Sequence, residues 1–284
     1  MKKKTLRVAA LTILLFLAPL CGKTQSIVYN NEGGPLDTIH STPGFTAIFS
    51  SWGFIGDSLC SGEMESLDSN GKKGYHDMYN FSWGQFICRA CGVEGYNFSH
   101  GGQTAKGWIE EAGERGWAFA KTHPKQAYII AMGVNDFHQK YKTGDLSTDV
   151  NKTDYTKNAP TYAGYMAGIV QRIQSIQPRA KIFVVTRPKE KAEGNDWDCY
   201  NEVVRQLPKY FKNIYVIDLY RYAPVYDKEF KDHYFVGGHM NVMGYQLTAN
   251  MFMTYIDWII RKNYKEFKQS AFIGTNLSYP ETTK

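Results

Sequence analysis

The chain has 284 residues, 43% of them hydrophobic and 21% charged, a composition that supports a packed core and excludes an intrinsically disordered chain. The formal net charge is +6. Four of the positive charges, Lys2, Lys3, Lys4 and Arg7, precede the apolar run Val8–Leu20, so the remainder is close to neutral and argues against a nucleic-acid partner.

That N-terminal run is too short to span a membrane and has the charge pattern of a secretory signal, which assigns residues 1–26 to a signal peptide and the protein to the periplasm or the outside of the cell. Cys21 lies where a lipid anchor would attach, but Pro19 and Leu20 disfavour that processing, and ordinary cleavage between Gly22 and Ser26 is expected. Residues 27–284 are expected to form a single domain. Its first part, 27–45, is rich in Gly, Asn and Pro and is expected to lie over the domain as an extension. Four cysteines remain: Cys60, Cys88, Cys91 and Cys199. Export permits a disulfide, four thiols allow three full pairings, and sequence does not choose among them or against reduced core cysteines.

Short apolar runs then alternate with helical periodicity. Strands are predicted over Thr46–Ile55, Gly95–Phe98, Ala127–Met132, Lys181–Thr186 and Asn213–Leu219. Helices are predicted over Phe81–Cys91, Ala105–Ala120, Tyr162–Ile176, Trp197–Leu207 and Val242–Ile260. Such alternation implies a parallel sheet covered by helices on both faces. The interval 138–160 is polar and lacks periodicity, which predicts a long functional or mobile loop.

In an open parallel sheet, ligands bind beyond the carboxyl ends of the strands. Gly56-Asp57-Ser58-Leu59 follows the first strand, Asn97-Phe98-Ser99-His100-Gly101-Gly102 surrounds the end of the second, and Gly133-Val134-Asn135-Asp136 follows the third. His239-Met240-Asn241 precedes the last helix. These four segments, with Ser82-Trp83-Gly84-Gln85-Phe86 between the first two, resemble in kind and order the sequence blocks of the SGNH (Gly-Asp-Ser-Leu) hydrolases over about residues 46–260. The resemblance implies a three-layer α/β/α sandwich around a mostly parallel five-stranded sheet, flavodoxin-like in its winding. It also implies an esterase with Ser58 as nucleophile and His239 as base. The oxyanion donors it implies are Ser58 N–H, Gly102 N–H and the Asn135 side-chain amide. Such chemistry needs no metal or organic cofactor. A serine hydroxyl requires a neighbouring base, and each preset donor to the tetrahedral oxyanion is worth about 3–4 kcal/mol.

The chain departs from the family at one position. Where an aspartate usually stands three residues before the histidine, this sequence has Val236. The group that orients His239 is then a backbone carbonyl near Val236 or a carboxylate from elsewhere, with Asp232 the nearer candidate and Glu63 a remote one. His100 and Arg187, each beside a strand end, are candidate substrate contacts. The range of the family the chain resembles, together with the export signal and the aromatic share of 15%, directs the expectation to acyl, above all acetyl, esters on carbohydrates. The alternatives are a lipase or lysophospholipase, and a glycan-binding module without activity. No partner beyond the substrate is implied, and the oligomeric state is open.

Overall fold

The computed structural model describes residues 33–191 and 197–280, so the expected signal peptide, Cys21 and the rest of the segment before Gly33 lie outside the described residues. Among the described residues, nine strands occur in chain order: β1 (Ser51–Gly56), β2 (Glu63–Leu67), β3 (Lys73–Asp77), β4 (Glu94–Asn97), β5 (Ala127–Ala131), β6 (Lys181–Val185), β7 (Ile214–Ile217), β8 (Phe235–Val236) and β9 (His239–Met240). Five of them form one parallel sheet in the order β4-β1-β5-β6-β7. The other four pair as two antiparallel hairpins, β2–β3 and β8–β9.

The central strands are apolar on both sides because both faces are covered. Trp52, Phe54 and Phe183 face the helices Trp83–Cys91 and Val242–Lys262. Ile55, Tyr128, Ile130, Ile182 and Val184 face the helices Ala105–Glu110, Tyr162–Ile176 and Asp198–Tyr210. Neighbouring residues along β1 thus enter opposite cores, as the period of two requires. The result is the expected α/β/α sandwich with a wholly parallel central sheet.

Helix starts are set by local capping. Ser82 accepts from Gln85 N–H (3.3 Å), Thr161 from Gly164 N–H (3.1 Å) and Asn241 from Gly244 N–H (2.9 Å). Each bond satisfies a first-turn donor that has no partner within the helix.

Three predicted elements change shape. Only the second half of the predicted strand Thr46–Ile55 is a strand. Gly44–Ile48 is a 3₁₀ turn whose Thr46 hydroxyl donates to Met253 O (3.0 Å) and whose Phe45 N–H reaches Asp257 (2.8 Å), so that apolar run packs on the last helix and not in the sheet. The helix predicted over Ala105–Ala120 is broken: it stops at Glu110, Gly113 N–H caps onto the Glu111 carboxylate (2.8 Å), and Gly116 is extended before a short turn at Trp117–Ala120. The polar interval 138–160 is built from local turns. Asp145, Asn151 and Asp154 accept from the backbone N–H two residues on, at 2.7, 3.1 and 3.0 Å, and Gln171 of a core helix donates to Asn151 O (2.8 Å). Cys60 and Cys88 are buried, Cys91 is half-buried and Cys199 is exposed, and none of the four is joined in a disulfide.

Phe54 is fully buried at the centre of the sheet, with Trp83 edge-on at 5.4 Å. Phe54→Ala is expected to lower unfolding free energy by about 3–5 kcal/mol, as measured by urea denaturation, because the surrounding strands cannot close the cavity.

Candidate active site

The chain runs from β1 out to β4 and then back past β1 to β5, so the winding changes direction beside β1. Crevices form at such a reversal beyond the strands' carboxyl ends. Ser58 stands just after β1, and Asn135 lies in the turn of helix that follows β5. Ser58 opens the short helix Ser58–Ser61, for which Asp57 is the cap, accepting from Leu59 N–H at 3.0 Å. As the first residue of a helix, Ser58 has no intrahelical partner for its N–H.

A cavity of about 360 Å³ opens there. It is lined by Ser58, Asn135 and His239, with Trp83, Met132, Leu219, Tyr226, Met240 and Phe252 among its apolar walls and Arg187 and Lys231 among its charged ones.

Buried polar bonds hold the segments around this cavity. Asn97 donates to Cys60 O (2.7 Å), tying the second block to the first. Asp136 accepts from Ala105 N–H at 3.0 Å, tying the third block to the second, and burial raises its pKa to about 6. Asn135 donates to Gln103 O (3.0 Å), which spends one amide hydrogen and leaves the other for a ligand. Gly102 has a left-handed backbone (φ 73°) in the turn that follows His100.

His239 is the centre of the arrangement. Its Nδ1 is 3.0 Å from Glu65 Oε1 and its Nε2 is 3.0 Å from Glu63 Oε1. Both carboxylates come from β2, whose hairpin with β3 lies outside the main sheet. Glu65 also accepts from Gly238 N–H and from Lys73 Nζ (2.9 Å). The Lys73 hydrogen bond is the chief reason its pKa falls to about 2, so Glu65 is an ionised acceptor at every working pH. Glu63 is pushed the other way, its pKa raised mainly by burial. Nδ1 is thus the nitrogen placed to donate to the Glu65 carboxylate, while Nε2 faces Glu63.

The glycines before His239 explain why a carboxylate from a distant strand can take this place. Gly237 and Gly238 form the two-residue turn between β8 and β9, with Gly237 at φ 65°. A Cβ on Gly237 would lie 2.2 Å from the Glu65 carboxylate. The absence of side chains leaves room for the Glu65 carboxylate against His239 Nδ1.

Ser58, Asn135, His239 and Arg187 line one cavity, and Gly102 is not among its lining residues. Asp232 does not join them: it is exposed on the helix Lys228–Tyr234 and pairs with Lys228. His100 also lies apart from the cavity lining, its Nδ1 against Gly101 O (2.7 Å) and its Nε2 3.4 Å from Glu111. Glu65 was missed by the sequence reading, although Asp68-Ser69-Asn70-Gly71 is a turn signal between the runs that form β2 and β3. Asp77 was missed as well; it accepts from Gly101 N–H (3.2 Å) and pairs with the Ser61 hydroxyl, joining the first two blocks. No group of residues suited to hold a metal ion occurs among the described residues, and no helix among them is long and apolar enough to cross a membrane.

The sequence profile of the GDSL-like lipase/acylhydrolase family matches residues 54–247, most of the chain. The chain belongs to that family. Among curated proteins none matches it in sequence. A solved structure of a protein from Lactobacillus plantarum is similar in fold, with a TM-score of 0.53 and 15% identity over 74% of this chain and 97% of that one. A family two carbohydrate esterase from Clostridium thermocellum, solved with cellohexaose, gives a TM-score of 0.48 and 17% identity over 76% of this chain and 65% of that one. A G-D-S-L family lipolytic protein from Desulfitobacterium hafniense gives 0.48 and 16% over 72% and 99%. Family membership makes this protein a carboxylic ester hydrolase of the acylhydrolase type.

Two outcomes are expected. Glu65→Gln should lower kcat on an aryl acetate by about 10²–10⁴-fold, since an amide cannot favour the required tautomer as a carboxylate does, whereas Asp232→Asn should leave kcat within about twofold. Burial also pushes the Asp57 carboxyl up to about 7. A raised carboxyl pKa contributes stability that is present below the unfolded value and lost as pH rises through the folded one. The melting temperature of Asp57→Asn should therefore gain on wild type between about pH 5 and about pH 8, read by thermal melts at both.

Proposed function

We propose that the protein is an exported serine esterase that removes small acyl groups, above all acetyl, from carbohydrate esters. The observation that carries the catalytic reading is the cavity shared by Ser58, Asn135 and His239, with an ionised carboxylate fixed on His239 Nδ1.

In this reading Ser58 Oγ attacks the ester carbonyl while His239 Nε2 takes its proton. The tetrahedral oxyanion is met by Ser58 N–H, Gly102 N–H and the free amide hydrogen of Asn135. His239 then gives the proton to the departing alcohol. Water repeats the sequence on the acyl-serine and releases the acid. Glu65 holds the tautomer and stabilises the imidazolium that forms transiently. Among the described residues, no hydrogen bond joins Ser58 Oγ to His239, whose Nε2 is engaged by Glu63. In this reading substrate entry exchanges the Glu63 contact for the serine hydroxyl, since catalytic contacts commonly form fully only in the enzyme–substrate complex.

A sugar as the alcohol part is supported by Tyr75. It is 55% exposed on β3, and its ring stands edge-on to the His239 imidazole at 5.9 Å. An exposed aromatic beside the base offers a stacking face to a pyranose. Trp52 and Trp108 are core residues and offer no such surface, and Trp83, which borders the cavity, is only 2% exposed. The apolar walls of the cavity favour a second reading, a longer acyl chain.

The test is turnover of 4-nitrophenyl esters and an O-acetylated glycoside. Ser58→Ala should abolish hydrolysis, with a loss of at least about 10³-fold. Tyr75→Ala should raise KM for the acetylated glycoside more than for 4-nitrophenyl acetate. Octanoate turned over faster than acetate would replace the deacetylase reading by the lipase one, and hydrolysis undiminished in Ser58→Ala would overturn the assignment of the nucleophile.

A further inference from the structure

Arg187 follows β6, two strands from Ser58 in the sheet order β1-β5-β6. Strand spacing alone puts the two backbone positions about 10 Å apart across the mouth, close to the span of one sugar ring or a short acyl chain. The guanidinium lies in the wall of the Ser58 cavity and is fixed on every side but one. Its plane stacks on Trp197 at 3.5 Å. Its Nη2 donates to Glu190 Oε1 at 3.0 Å, and Glu190 is held in turn by Lys231 Nζ at 3.0 Å. Asn201 locks the backbone, accepting from Arg187 N–H (2.8 Å) and donating to Arg187 O (3.1 Å).

The exception is Nη1. It is buried and has no hydrogen-bond partner among the described residues. A desolvated guanidinium N–H left unpaired is costly, and its natural complement is a carboxylate. The charges nearby do not remove the need. Glu190 is shared between Arg187 and Lys231, both of which line the cavity. Asp57, the other carboxyl that feels Arg187, is itself driven towards the neutral form by burial. The cavity lining therefore carries Arg187 and Lys231 with Glu190 between them, while Glu63 and Glu65, which contact His239, are not among the lining residues.

We infer that Arg187 is the anchor for a carboxylate carried by the ester substrate, so that the enzyme selects acidic esters over neutral ones. The inference rests on the esterase reading above. The carboxylate belongs either to the alcohol part, as in an O-acetylated uronic acid, or to the acyl part, as in a hemisuccinate. In both cases it accepts from Nη1–H while the ester carbonyl sits at Ser58. Arg187 is a specificity residue here and takes no part in proton transfer.

The experiment measures kcat/KM for two matched pairs: an O-acetylated methyl glucuronoside against the corresponding glucoside, and 4-nitrophenyl hemisuccinate against 4-nitrophenyl butyrate. In wild type the acidic member of one pair should be preferred, and the pair that responds identifies which part carries the charge. Arg187→Gln should reduce that preference by about 10–100-fold, the range for a hydrogen bond to a charged group, and Arg187→Lys should restore part of it. Because each value is a ratio within one protein, partial misfolding cancels. Equal turnover within both pairs in wild type, or a preference untouched by Arg187→Gln, would overturn the inference. If no ester is hydrolysed, the esterase reading fails separately, and thermal-shift titration with glucuronate, succinate and glucose decides this one. Stabilisation of wild type by an acid but not by glucose, lost in Arg187→Gln, supports the anchor, and its absence refutes it.

Discussion

The site depends on the bond between the Glu65 carboxylate and His239 Nδ1. An imidazole free to rotate, or protonated on the wrong nitrogen, is a poor base, and a fixed acceptor on Nδ1 removes both faults at once. Here that acceptor is itself held, by Lys73 and by Gly238 N–H, so its charge and position are set before any substrate arrives. The hairpin β2–β3 and the turn β8–β9 have no part in the main sheet, yet their contact decides whether the ring is usable.

That contact is supported from below. Tyr245, buried in the last helix, donates to Glu63 O (2.6 Å) and so ties the start of β2 to the helix that follows the histidine. Asp77 at the end of β3 binds Gly101 N–H, and Asp136 binds Ala105 N–H. The polar groups buried around the cavity mostly bridge one sequence block to another. Four separated stretches of chain thereby become one rigid rim, and Ser58 needs no long-range device of its own.

Much of this was legible beforehand. Apolar runs such as Ala127–Met132 and Lys181–Thr186 read as doubly covered strands because both of their faces are buried, and the periodicity of Tyr162–Ile176 matched the helix end to end. Ser58 and Asn135 stood out because they follow strand ends of a parallel sheet, and His239 because its block resembles one of the family's. Glu65 was not, for a physical reason. An orienting carboxylate is defined by where its oxygen lies, and β2 is a half-exposed strand whose pattern, Glu63-Met64-Glu65, reads as solvated surface until a hairpin folds it against the histidine. The break at Glu111 was hidden likewise, since apolar residues on both sides of Gly113 and Gly116 keep helical spacing through a segment that leaves the helix.

Glu65 and His239 are separated by 174 positions in the chain. They are inherited on separate segments, joined only in three dimensions and only because two glycines leave room. A change confined to the Glu65 hairpin would disarm the centre while every recognisable block stayed intact, so a chain of this kind can lose its chemistry without losing its signature.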